Sequence, residues 1–411
     1  MRPKFKGLFK WLSPGIGIKR WVGLAFIGIC LVIVGSVLLR TEDYWINYIL
    51  DIILLISGII IIILSIIRLI GTLVTAFLPS SKAQLFDILY RKKQLVRGPK
   101  IVAVGGGTGL SVLLSGLKEF TSNITAIVTV TDDGGSSGRL RQEFDILPPG
   151  DIRNCLVALA DAPALMRDLF QFRFDTNSAL SGHSFGNLFI TVMTRLTGDF
   201  GVAIKETSKV LALKGQVIPS TLDNVRLVAE NKDGTITEGE ENIPKSHKPI
   251  NKISLKPSRP QASPEAIKAL EEADIIILGP GSLYTSIIPN LLMKEITDAI
   301  VSSEAIKVYV CNIMTQPGET DGFRVSDHIK ILINHSSSRI FDYCVVNTGE
   351  IPVQMLKRYA KEDSYPVVND TQNIEGMGYR VIEDEVVISD DLIRHDPAKL
   401  AKIILGLVEE I

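Results

Sequence analysis

Cysteine is scarce in this 411-residue chain: Cys30, Cys155, Cys311 and Cys344 stand apart, with no C-x-x-C pair and no histidine at metal spacing. That leaves no signal for a disulfide scaffold or a zinc site, and it points to buried thiols in a reducing compartment. Neither charge is in excess. With 44 basic and 45 acidic residues the net charge is -1, so nothing in bulk draws the chain to nucleic acid. His247, His328, His335 and His395 share no metal spacing, and His328 reads as a helix-surface residue. A Gly-Lys-Ser/Thr triplet is missing after the first glycine loop, which disfavours an ATPase. The length suits one large α/β domain or two ordinary ones.

What is plentiful is apolar: 46% of residues, with most of the excess before residue 80. Trp21 to Leu39 carries no charge and is long enough for a helical span. A second run, Ile52 to Ile67, reaches span length over about 48–70, which brings in Asp51 and Arg68 near the interfaces. A signal peptide would account for the first run alone. Arg2, Lys4, Lys6, Lys10, Lys19 and Arg20 precede the pair; Arg91, Lys92, Lys93, Arg97 and Lys100 follow it. Between the runs lie Arg40, Glu42, Asp43 and Asp51, so the positive-inside rule puts both termini in the cytoplasm. The expected order is a membrane anchor over 1–79, with spans at about 21–39 and 48–70, then a basic linker helix over 80–99. That helix suits either anionic lipid or plain solvation. A nucleotide-binding domain fills 100–411, with a β insertion at about 215–256.

Lys100 to Val104 is a short apolar β-run, followed by Gly105, Gly106, Gly107, Thr108 and Gly109 and then by a helical stretch. Strand, glycine loop and helix N-terminus together receive a phosphate: the backbone comes close and free N–H groups point at the anion. The next β-run, Ile124 to Val130, ends at Asp132 and Asp133, where a dinucleotide-type fold places an acid on a ribose hydroxyl. Turn-making beside Gly134 and Gly135 is the plainer role for that pair.

Gly134, Gly135, Ser136, Ser137 and Gly138 read as a small-residue loop, with Arg139 and Arg141 behind it as phosphate or carboxylate partners. Pro148-Pro149-Gly150 forces a turn, Asp151 reads as the N-cap of a helix to Ala160, and Arg153 and Asn154 lie in its first turn. His183 and Asn187 sit in a glycine-flanked loop, and Thr221 stands where the β insertion opens. A second strand–glycine–helix unit follows: Asp274 to Leu278, then Gly279, Gly281, Ser282 and Thr285. Further strands deliver Thr315 and Gln316, and Asn347 and Gly349. Several strands ending in polar loops on one edge predict an α/β, Rossmann-like, mostly parallel sheet with one composite pocket.

In order, GGGTGLSVLLSGLK, TVTDDGGSSGRLR, PPGDIRN, GHSFGNL, GQVIPST, LGPGSLYTSIIPNLL and NIMTQPGETDGF resemble the YvcK branch of the CofD-like superfamily, the gluconeogenesis factors. The resemblance runs from about Pro99 to the C-terminus. The superfamily's other branch transfers phospholactate from a nucleotide onto a deazaflavin with magnesium. This chain has DDGGSSGRLR and PPGDIRN where those transferases carry a different acidic segment. The resemblance implies a non-catalytic binder of UDP-sugars such as UDP-N-acetylglucosamine, with no cofactor required. It also implies a role in cell shape and wall synthesis during gluconeogenic growth. The implied partners are the nucleotide sugar and, through the hairpin, membrane lipid, with a homo-oligomer and envelope or signalling proteins left open. Read from the residues alone, a transferase using Mg²⁺ at Asp132 or Asp133 is the alternative. An NAD-like dinucleotide would explain the first glycine loop and leave the second unexplained.

Overall fold

The computed structural model describes residues 18–39, 45–77, 93–175, 179–389 and 391–409. The chain divides into two compact units, residues 1–93 and 94–411. The expected basic flank at Arg2 to Lys10 and most of the 80–99 linker lie outside the described residues, and 93–96 are helical.

The first unit holds α1 (Ile18–Leu38) and α2 (Trp45–Phe77). Both are long and apolar enough to cross a membrane, and only 11% and 17% of their apolar windows are buried. Two apolar helices that leave most of their surface uncovered match a hydrocarbon surrounding by length and composition. They pack through small residues: a Cβ on Gly58 would lie 2.8 Å from the Gly28 carbonyl oxygen. The Arg68 guanidinium stacks 5.7 Å from the Trp21 ring centroid. Asp51 is covered within the helix pair, with Oδ2 unpartnered.

The second unit is built on seven strands ordered β10-β9-β8-β7-β1-β2-β3, every neighbouring pair parallel. They are β1 (Ile101–Gly105), β2 (Ile124–Val128), β3 (Gln216–Pro219), β7 (Ile275–Leu278), β8 (Ile306–Val310), β9 (Tyr343–Asn347) and β10 (Arg380–Asp384). The central ones, IVAVG, ITAIV and IIIL, are buried along their whole length, as strands covered by helices on both faces must be. From β1 the chain steps outward through β2 to β3, and from β7 it steps the other way through β8 and β9 to β10. The order therefore reverses between β1 and β7, and open α/β sheets bind ligands at such a switch point.

An antiparallel sheet of β4 (Arg226–Asn231), β5 (Ile236–Glu238) and β6 (Ile250–Lys256) forms the insertion. Gln216–Pro219, expected inside it, is β3 and belongs to the main sheet, because it pairs with β2. Two features went unread in the sequence: β10, and a hairpin of β11 (Val387–Ser389) and β12 (Ile393–His395). The expected small-residue loop is also different. Residues Gly135–Phe144 form helix α4, and Gly138 donates its N–H to the Gly134 carbonyl at 2.9 Å. The small residues there allow close packing, since a Cβ on Gly138 would sit 1.9 Å from the Asp133 carbonyl oxygen. His328 is wholly buried rather than on a helix surface.

Candidate functional site

Helix α3 (Gly107–Leu117) begins inside the first glycine loop with Gly106 as its N-cap, so its free N–H groups open at the end of β1. Beyond β7 the chain runs through Gly279 to Ser282 into a π-helical turn, Leu283–Ile287. The two loops touch: a Cβ on Gly109 would lie 2.6 Å from the Pro280 carbonyl oxygen, so only glycine permits the approach. Asn290 donates to the Gly105 carbonyl at 3.1 Å. Asn312 takes the Gly281 N–H at 3.2 Å and returns a bond to its carbonyl at 2.7 Å. Side-chain amides thus lock both loops to the sheet ends.

Between the loops opens a cavity of about 630 Å³, lined by Gly106, Gly107, Thr108, Gly109, Gly281, Ser282, Thr285, Thr315 and Gln316 among the expected residues. Its volume is that of a small-molecule or cofactor site. Gly105 and Gly279 stand behind it at the strand ends. The wall is completed by residues that sequence reasoning missed, Tyr359 and Arg394 towards the C-terminus and Glu240 from the insertion.

Buried acids adjoin the cavity. Asp151 is not the N-cap of α5 (Gly150–Leu159); Pro149 is. Its carboxylate takes the Gly107 N–H, so it fastens the glycine loop instead, and burial first, then Asp132, pushes it up to about 7. Asp132 is raised by burial, while a Ser137 hydroxyl and the Gly134 N–H hold its charge partly in place. Glu240 is raised well above a normal carboxyl, chiefly by burial and then by Asp151, Asp132, Asp133 and Glu319, and its Oε2 has no partner. Burial lifts Glu319 to about 7 although Ser282 donates to it. Ser282 Oγ in turn accepts from Thr285 Oγ1 at 2.7 Å and from Thr285 N at 3.2 Å. Among the described residues no three His, Cys, Asp or Glu side chains stand at metal-holding spacing.

The remaining expected residues gather elsewhere, in a buried polar network joining α4, α5 and α6 (Phe185–Thr197). Arg153 donates to Ser184, to Asn187 Oδ1 at 3.0 Å and to Asn154 Oδ1 at 2.7 Å. Asn187 donates to Ser136 at 3.1 Å and to Ser137 at 3.5 Å, and His183 Nδ1 shares a 3.0 Å bond with Ser136. Burial, then Arg139, lowers the His183 pKa, which keeps the ring neutral inside this network. Arg139 reaches the Ser181 carbonyl at 2.8 Å, and Gly135 is exposed at the start of α4. Thr221 is buried and bonded to the Gln261 carbonyl at 2.6 Å. Asp133 accepts the Glu241 N–H at 3.0 Å and so ties the insertion to the main sheet. None of these lines the cavity.

The CofD family model, described as 2-phospho-L-lactate transferase CofD, matches residues 101–387. The gluconeogenesis factor of Bacillus subtilis is 49% identical over 313 residues, 76% of this chain and 99% of that protein. A Nostoc sp. relative, provisionally named a gluconeogenesis factor, is 49% identical over 418 residues, 97% of this chain and 92% of its own length. The match to Nostoc therefore takes in the N-terminal unit, whereas the match to Bacillus subtilis spans only about three-quarters of the chain. A crystal structure of a Bacillus halodurans protein superposes with a TM-score of 0.74 at 48% identity, over 75% of this chain and 99% of its own. With a family match over most of its globular unit and relatives this similar over nearly their whole lengths, the chain belongs to the CofD family, among its gluconeogenesis factors.

Proposed function

We propose that residues 94–411 bind a nucleoside diphosphate sugar of the UDP-sugar kind and act as a ligand-dependent regulator of envelope growth on gluconeogenic carbon. One observation carries the proposal: two glycine loops from adjacent strands meet at the switch point and line a single cavity. The N-terminus of α3 offers N–H groups beyond Gly107 to one phosphate of a diphosphate, and the Ser282 and Thr285 hydroxyls after the second loop line the place of the other. Gln316 and Arg394 are the donors for the group beyond it. The hairpin would hold this domain at the membrane with both termini in the cytoplasm, an orientation that the basic flanks support. The Bacillus halodurans structure aligns over 99% of its length with three-quarters of this chain, so the globular unit is testable on its own. Calorimetry of residues 94–411 should register saturable heat with a UDP-sugar and leave the ligand intact after hours. Absence of heat with every UDP-sugar tried overturns the proposal.

The family's transferase name supports a second reading, in which the same cavity holds a nucleotide-linked donor with Mg²⁺. The acids do not fit such an ion as they stand: Asp132, Asp151 and Glu240 offer oxygens and Glu240 Oε2 is an orphan, but no three acids among the described residues stand at metal-holding spacing, and the Asp133 carboxylate accepts the Glu241 N–H. Binding unchanged by EDTA, with no nucleotide product, counts against this reading.

A further inference from the structure

The helix Ala164–Gln171 places Leu165 and Leu169 on one face, and Phe172, just past its end, continues the row at i, i+4 and i+7. That face is turned outward: the three are 80%, 40% and 51% exposed, while Phe170 is the helix's buried residue. On α6, Phe185, Phe189, Val192 and Leu196 form a second stripe at i, i+4, i+7 and i+11. Phe170 covers its first half, with ring centroids 5.9 Å from Phe185 and 5.0 Å from Phe189. Its second half is open: Val192 is 55% exposed and Leu196 76%. The Phe185 N–H bonds the Phe172 carbonyl at 2.9 Å, joining the end of one helix to the start of the other, so the two lie side by side.

Single exposed leucines are ordinary, but five apolar side chains in two adjoining rows mark a covered surface. At about 200 Å² for a fully exposed large side chain, their exposed fractions come to roughly 600 Å². A standard interface buries about 800 Å² on each side, so these rows and a polar rim reach that size. The rim carries both signs. Asp168 and Arg173 border the first row and Arg195 the second, all at the surface, while Arg167 is half-buried towards Lys118. Anionic lipid attracts one sign only. A two-fold pair sets each residue against a different one of its partner, so Asp168 of one copy can meet Arg195 of the other.

We infer that this two-helix face pairs with the same face of a second copy of the chain. The pairing rests on neither reading of the cavity between the glycine loops. Sedimentation velocity of residues 94–411 at about 50 μM tests it apart from the hairpin, and should show twice the mass of one unit. Leu165→Asp or Leu196→Asp should raise the dimer Kd at least about tenfold, as for the centre of an interface. Both side chains are exposed in the single unit, so circular dichroism should report an intact fold in each variant. Asp168→Arg should weaken pairing, and adding Arg195→Asp to it should restore part of the loss; no recovery overturns the rim contact. A single-unit mass at that concentration, or a dimer indifferent to both aspartate variants, overturns the pairing. So does a monomer that binds phosphatidylglycerol vesicles and loses that binding in Leu165→Asp, which gives the face to lipid.

Discussion

Glu319→Gln should make the globular unit more stable, and more so as pH rises. The side chain lies beside the second glycine loop, where burial lifts its carboxyl from an ordinary 4.5 to about 7. The folded state therefore binds a proton more tightly than the unfolded chain between those values. Stability falls as pH rises from about 4.5 to about 7, then levels off. At about 1.4 kcal/mol per pH unit, the full gap is worth about 3 kcal/mol, most of it developed between pH 5 and pH 8. Glutamine keeps an oxygen to accept the Ser282 hydroxyl and carries no charge, so it removes the penalty and leaves the contact. The expected difference, variant minus wild type, is under ~1 kcal/mol at pH 5 and about 2–3 kcal/mol at pH 8. All three tryptophans precede residue 46, so urea unfolding of residues 94–411 is followed by far-ultraviolet circular dichroism. A difference that stays flat from pH 5 to pH 8, or a variant less stable at pH 8, refutes the assignment of a buried proton to Glu319.

Gly109→Val should push the two loops apart, because its Cβ would fall 2.6 Å from the Pro280 carbonyl oxygen. We expect at least about a tenfold loss of UDP-sugar affinity by calorimetry and a stability cost of ~1–3 kcal/mol; unchanged affinity would separate the loops functionally. His395 titrates in the opposite sense to Glu319. Burial pushes its pKa down to about 4, with Nε2 on the Cys311 carbonyl, so stability is lost as pH falls from about 6.5 towards 4. His395→Gln should flatten that acid limb in the same unfolding series, and a limb of unchanged slope would place the titration elsewhere. In the hairpin, Gly58→Leu should part α1 from α2, since even a Cβ there meets Gly28 at 2.8 Å. Cysteines placed at Gly35 and Leu55 in a Cys30→Ser background should then cross-link more slowly, and an equal rate would refute the tight packing.

The glycine loops were legible because their signal is local. A strand, a run of glycines and a helix start are contiguous in sequence, and each can be read without knowing the rest of the fold. Order along the chain does not show that the Gly105–Gly109 and Gly279–Ser282 loops touch; that follows from the reversal of strand order between β1 and β7. His328 could have been found by period. Val325, His328, Ile329 and Leu332 share one helix face, and all four are buried. Strand β10 reads RVIED, half-exposed at the sheet edge, so its alternation is too weak to stand out.

The acids were harder for a physical reason. Asp151 reads as a cap, Glu240 as part of a charged hairpin and Glu319 as part of a turn, because the sequence carries no mark of a buried carboxylate. What makes them unusual is burial and placement: Asp132, Asp151, Glu240 and Glu319 are all buried enough to hold protons more tightly, Asp132 adds to the rise of Asp151, and Asp151, Asp132 and Glu319 add to that of Glu240. In the dense DDGGSSGRLR, PPGDIRN and GHSFGN blocks the sequence does not show that the serines, Arg153, His183 and Asn187 bond to one another at the meeting of three helix starts, with Arg153 Nε left without a partner. Such a network acts on the cavity from behind. It fixes α4 and α5, and through Asp151 the start of α5 holds the Gly107 N–H that begins the first glycine loop. A change at Arg153 should therefore weaken ligand binding only as far as it shifts Asp151. Arg153→Lys would keep the charge and lose the fork to Ser184 and Asn187, which separates positioning from contact.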